Sequence, residues 1–209
     1  MVSYVLGAGE QGSIMIPYII EYKGFPENLL FFDDQKEGPR IAGGFNDLEK
    51  VLKRGDKLYL GIGNNEIRER VFEKFKDYLE FPNAIHPSAI IASGVKMGQG
   101  ITIAPGVIIN PLAEIGNACI INTGVILEHE TIVKDYSDME PTSKTMGGVY
   151  IGKGTTIGPG SVICEDIKIG DYSHIGAGSV VLKDIPNNSL AYGVPAKVIK
   201  EGKRYLWYQ

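Results

Sequence analysis

From Ile85 onward the chain keeps a period of six. Every sixth residue is Ile85, Ile91, Met97, Ile103, Ile109, Ile115, Ile121, Leu127, Val133, Met139, Thr145, Ile151, Ile157, Ile163, Ile169, Ile175 and Val181, and only Thr145 is not a sizeable apolar side chain. A smaller residue stands four places after most of them, as at Ala89, Ala113, Cys119, Ser137, Ser143, Thr155, Ser161, Ser173 and Ser179. Glycine often follows directly, at Gly98, Gly116, Gly152, Gly158, Gly170 and Gly176. Helices repeat every 3.6 residues and strands every 2, so neither yields a strict six. A hexapeptide β-helix does: each hexad is a short strand plus a corner, aliphatic side chain inward, glycine in the turn. Three hexads close one triangular coil, so these hexads supply about five to six coils, bonded to one another at ~4.8 Å.

The first 80 residues read differently, as alternating strands and helices. Tyr4 to Leu6 is a short strand ending in Gly7-Ala8-Gly9-Glu10-Gln11-Gly12. A helix follows with Ile16, Ile19 and Ile20 at helical spacing, closing at Gly24. Asn28 to Phe32 is a second strand that delivers Asp33-Asp34, and Lys57 to Leu60 a third, ending in Gly61-Ile62-Gly63-Asn64-Asn65. Glu66 to Leu79 is predicted as a helix with Ile67, Val71, Phe72 and Phe75 on its apolar face. The expected organisation is therefore a small Rossmann-like α/β domain over 1–80, the β-helix over 81–186, and a cap or tail over 187–209, helical around Lys200 to Trp207.

Gly7-x-Gly9-x-x-Gly12 between a strand and a helix is the context of a phosphate-binding turn, with Asp33 placed 21 residues after Gly12. A glycine turn that only joins a strand to a tightly packed helix explains the same residues. The unit is half the size of a full dinucleotide-binding domain, so a nucleotide or nucleotide sugar fits better than NAD. The 27 glycines among 209 residues answer to the many corners of the repeat. A formal charge of −4 argues against a nucleic-acid surface. No apolar run approaches the ~20 residues of a membrane span. The N-terminus has neither the basic nor the apolar region of a signal peptide, so the expected compartment is cytoplasmic. Cys119 and Cys164 lie about two and a half coils apart, roughly 12 Å, too far for a disulfide.

In a solenoid most residues answer to stacking, so departures from the repeat mark chemistry. The poorest hexads run from Leu127 to Tyr150, and their only histidine is His129, between Glu128 and Glu130. An imidazole there suits a general base for acyl transfer, with a neighbouring carboxylate to fix its tautomer. A solvated corner histidine beside two surface glutamates is the plainer reading. His86 and His174 read as structural or surface residues. The three histidines are spaced 43 and 45 residues apart, so no zinc or other metal site is expected.

GAGEQG, FFDD, GIGNNEIR, INTGVILEHE and YGVPAKVI, in that order, resemble the sugar acetyltransferases that include the sialic acid O-acetyltransferases. The likeness is greatest to the N-acetyltransferases acting on UDP-4-amino-4,6-dideoxy sugars in bacillosamine synthesis, and it covers essentially the whole chain. It implies a left-handed parallel β-helix after a Rossmann-like domain, and a homotrimer with acetyl-CoA between adjacent helices. His129 would be the catalytic base and Glu130 its carboxylate partner. Asn122 would lie near the acceptor amine. Gly9, Glu10, Gln11, Asp33, Asp34 and Gly63 would hold the nucleotide, and Pro159 and Ala177 would contact acetyl-CoA.

One position departs from that family. Its second histidine, nine residues after the first, contacts the acetyl-CoA of a neighbouring chain; here it is Asp138, which the resemblance places at that acetyl-CoA contact. An ionised aspartate accepts but does not donate. The expected activity is N-acetylation of a nucleotide-linked 4-amino-6-deoxy sugar. The alternatives are O-acetylation of sialic acid or a related sugar, and a sugar-nucleotide-binding protein without turnover.

Overall fold

A computed structural model of the chain describes residues 3–7, 9, 15–21, 29–37 and 41–202. Glu10, Gln11, the helix end expected at Gly24 and most of the expected helical tail lie outside the described residues.

The N-terminal unit runs β1 (Ser3–Leu6), α1 (Ile16–Glu21), β2 (Leu30–Phe32), β3 (Ile41–Gly43), α2 (Phe45–Val51), β4 (Lys57–Leu60) and α3 (Asn65–Phe75). Its four strands are parallel in the order β3-β2-β1-β4. The chain order turns back beside β1, so a crevice opens at the C-terminal ends of β1 and β4. Gly7 makes that close approach possible: its φ is +95°, and a Cβ would lie 2.5 Å from the Gly61 carbonyl oxygen.

β3 and α2 were not expected from sequence. β3 has only three residues, and the α2 N-terminus is capped from a distance, the Phe45 N–H donating to Asp34 Oδ1 at 2.8 Å. α3 is shorter than expected. Asn64 caps it by accepting the Ile67 N–H at 3.0 Å, and the chain leaves the helix after Phe75. Its buried side is Arg68, Val71, Phe72 and Phe75, whereas Ile67 is 41% exposed. The expected apolar face is thus turned by one residue.

Seventeen two-residue strands follow, from β5 (Ala84–Ile85) to β21 (Val180–Val181), one every six residues. Every third strand pairs in parallel with the next coil, giving three faces of a solenoid of about six coils. The second residue of each strand is the sixfold aliphatic position, and from Ile103 to Val181 these side chains form one buried core. The small residues four places later are interior as well; the Cys119 thiol there, pushed up to about 12 by burial, lies 3.2 Å from the Lys134 carbonyl. The glycines that follow the aliphatic position serve coil-to-coil approach rather than the turn: a Cβ on Gly158 would lie 2.5 Å from the Ile175 carbonyl oxygen.

After the repeat, β22 (Leu190–Gly193) extends one face and β23 (Ala196–Lys200) folds back antiparallel on it. Lys200, expected to start a helix, ends this hairpin instead, because the Gly193 turn lets 196–200 pair with β22.

α3 joins the two parts. Its Asn65 side chain donates to the Gly154 carbonyl at 2.8 Å, the Tyr136 hydroxyl donates to Glu73 at 2.6 Å, and Lys153 pairs with Glu69 at 2.7 Å. Phe72 packs against Tyr136, so Tyr136 and Ala118 of the solenoid belong to the α/β core.

Candidate functional site

His129 stands on the corner between β12 (Ile126–Leu127) and β13 (Ile132–Val133). Its Nδ1 is 3.1 Å from Glu130 Oε2. A carboxylate only accepts, so Nδ1 is the donor in this contact, the tautomer that leaves the Nε2 lone pair free of Glu130. Both side chains are open, 60% and 62% exposed. Two features of the next coil shape this corner. A Cβ on Gly147 would lie 2.5 Å from Cε1 and 2.8 Å from Nε2, so only glycine leaves room for the imidazole. Beneath it, the buried Thr145 hydroxyl accepts the Glu128 N–H at 3.2 Å and bonds the Thr131 hydroxyl at 2.9 Å. The one polar residue in the sixfold series therefore anchors the histidine corner, and its place in that series is visible in the sequence.

The α/β unit contributes a cleft of about 580 Å³ at the C-terminal ends of its strands, within the usual range of ligand sites. Gly7, Gly9, Asp33, Asp34, Gly61 and Ile62 line it, together with Ile67, Arg70 and Lys74 of α3. Arg70 and Lys74 were missed by sequence reasoning; they bring two cationic side chains to the cleft, Lys74 paired with Glu49. Asp34 also caps α2, and Asp33 Oδ1 accepts the Gln35 N–H at 2.8 Å. Gly63 does not line the cleft. Its carbonyl accepts from Arg68 at 2.9 Å.

Asp138 departs furthest from expectation. It sits in β14 (Asp138–Met139), its side chain 5% exposed and ion-paired with Arg68 of α3. Burial pushes its carboxyl up to about 7, Arg68 pulls it down, and Glu140 adds repulsion. The expected reach of this residue toward acetyl-CoA is replaced by an internal pair, because α3 covers it. Glu140, whose carboxyl burial also raises, is 3.5 Å from the Asn122 amide nitrogen.

The remaining expected site residues sort onto different edges of the solenoid. Asn122 adjoins the corner at 123–124, and Pro159 and Ala177 stand exposed on the corners stacked above it. His129 and Glu130 lie on the next edge, one face away, which is roughly 15 Å at ~3.3 Å per residue. One chain does not bring His129 and Asn122 together. Among the described residues, no three His, Cys, Asp or Glu side chains group as metal ligands.

The PglD N-terminal domain family matches residues 4–75, and the bacterial transferase hexapeptide (six repeats) family matches residues 148–183. The fold is similar to PerB from Caulobacter crescentus, solved in complex with CoA and GDP-perosamine: 30% identity over 96% of this chain and 98% of that one, TM-score 0.87. It is also similar to the acetyltransferase domain of PglB from Neisseria gonorrhoeae, at 25% identity over 94% and 98%, TM-score 0.90. Serine acetyltransferase of Bacillus pumilus is 32% identical over 130 residues, 57% of this chain and 49% of that enzyme. The chain spans about half the length of the curated relatives it matches. With a 4–75 unit of the PglD type in front of a six-residue solenoid, and full-length likeness to PerB, the chain belongs to the hexapeptide-repeat sugar acyltransferases that carry a PglD-type N-terminal domain.

Proposed function

We propose that this protein is an acetyl-CoA-dependent N-acetyltransferase acting on a nucleotide-linked 4-amino-6-deoxy sugar, working as a homotrimer with His129 as the general base. The observation that carries the reading is the His129 corner: Nδ1 faces Glu130, Gly147 leaves room for the ring, and Thr145 anchors the backbone on either side. The cleft beside Gly7, Gly9 and Asp33, with Arg70 and Lys74 across it, supports a nucleotide diphosphate as the handle of the acceptor. PerB, similar over its whole length, was solved with both CoA and a nucleotide sugar.

A second copy completes the site. The face between the Asn122 edge and the His129 edge presents Ile90, Ile108, Ile126, Lys144, Val162 and Val180 outward, a stripe that is apolar except at Lys144 and is suited to cover by another chain. A neighbour related by threefold rotation then brings its Asn122 edge to this chain's His129. The exposed, stacked corners at Pro159 and Ala177 fit a long, thin molecule laid along the edge.

Bound acetyl-CoA supplies an electrophilic thioester carbonyl and a thiol leaving group. His129 Nε2 accepts the proton that the acceptor nitrogen sheds as its bond to the acyl carbon forms, and returns it to the departing sulfur. Glu130 stabilises the imidazolium through Nδ1. The test is release of free thiol from acetyl-CoA with UDP-, dTDP- and GDP-linked 4-amino-6-deoxy sugars and free sialic acid as acceptors. Release with one nucleotide amino sugar supports the reading. Release only with sialic acid moves the assignment to O-acetylation, and no release by a protein that still binds nucleotide moves it to a sugar-nucleotide-binding role.

A further inference from the structure

Arg68 is fully buried where α3 crosses the solenoid, and all five of its N–H donors have acceptors. Nε donates to the Ala118 carbonyl at 2.7 Å. Nη1 donates to the carbonyls of Ile62 and Gly63, each at 2.9 Å. Nη2 donates to the Tyr136 carbonyl at 3.0 Å and to the Asp138 carboxylate. Residues 61–63 follow β4, and Gly61 and Ile62 wall the nucleotide cleft. Asp138 begins β14, whose next outward residue, Glu140, meets Asn122. One guanidinium therefore bonds the wall of the cleft on one side and the strand leading to the Asn122 edge on the other.

We propose that Arg68, held by Asp138, is a positioning residue for acyl transfer: it fixes the nucleotide cleft relative to the Asn122 edge, and so sets how far a nucleotide-held acceptor reaches. The inference rests on the function proposed above. A planar fork with five fixed donors sets the cleft wall and the solenoid in one geometry, which a lysine ammonium with three rotatable donors does not. Displacement of a reacting group by about 1 Å can cost ~10²-fold in rate. The residue touches neither substrate, so its loss is expected in kcat rather than in binding.

The experiment uses the full chain and compares wild type, Arg68→Lys and Asp138→Asn. Measured are kcat and KM on the accepted nucleotide amino sugar, KM for acetyl-CoA, the dissociation constant of the nucleoside diphosphate alone, and thermal unfolding. The expected result for Arg68→Lys is a kcat lower by ~10²-fold, with KM for acetyl-CoA and nucleoside diphosphate affinity each within about threefold of wild type. Asp138→Asn, which keeps an acceptor for Nη2, is expected to fall between the two and carries the test if the lysine variant does not fold. Equal kcat in wild type and variants, or nucleotide affinity lost in proportion to kcat, overturns the inference and leaves Arg68 a stabilising contact. An inactive wild type overturns the proposed function instead, which separates the two failures.

Discussion

The His129 imidazole occupies the place that a Cβ on Gly147 would fill, one coil further along the solenoid, with Nε2 2.8 Å from that position. The φ of Gly147 lies outside the left-handed region, so the backbone there accepts alanine and only the ring resists it. Gly147→Ala is expected to swing an exposed ring aside at little cost in stability. Its kcat should fall by ~10²-fold, the cost of a misplaced catalytic group. Steady-state kinetics beside a thermal melt checks this; a variant with lower melting temperature and unchanged kcat would count against the assignment of the corner.

Thr145 supports the same corner from inside. Thr145→Val keeps the shape but leaves the half-buried Glu128 N–H without its acceptor and removes the buried bond to Thr131. A loss of about 1–3 kcal/mol is expected from the unsatisfied donor, measured by denaturant unfolding, together with lower activity. Restoring an apolar residue to an otherwise aliphatic series should therefore destabilise the protein.

If each site takes His129 from one chain and Asn122 from its neighbour, two inactive variants complement each other. If the assembly is the proposed trimer, His129→Ala and Asn122→Ala proteins, dissociated and reassembled together in equal amounts, should regain about one quarter of the wild-type sites by random mixing of subunits in a closed ring. No recovery in reassembled mixed assemblies would mean that Asn122 and His129 do not share a site.

His174, on the outer face of the solenoid, is half-buried, and burial pushes its pKa down from 6.5 to about 4. Between those values the unfolded chain binds a proton that the folded chain refuses. Stability therefore declines as pH falls from about 6.5 to about 4 and gains nothing further from this residue above 6.5. Melting temperatures across that range should show a shallower acid decline in His174→Gln than in wild type.

The solenoid was legible because each hexad repeats the same interior positions, an aliphatic one and a small one, and local sequence is enough to reveal that rule. Ile103, Ile121 and Ile157 declare their burial without knowledge of any distant partner. β3 and α2 were not legible, since a three-residue strand has no period and the α2 cap is Asp34, eleven residues before Phe45. Arg68 looked like a surface residue of an amphipathic helix because its five acceptors come from three separate segments. The same holds for Asp138, whose role depends on α3 lying over β14. His129 was readable as a departure from the repeat, whereas its support by Gly147 and Thr145 required the stacking of coils.

The most direct test of the account is thiol release from acetyl-CoA with the accepted nucleotide amino sugar, measured for wild type and for His129→Ala. Acceptor-dependent release by wild type is expected, with a kcat lower by ~10²–10⁴-fold in the variant and acetyl-CoA and nucleotide still bound. A folded His129→Ala protein that turns over at the wild-type rate would contradict it.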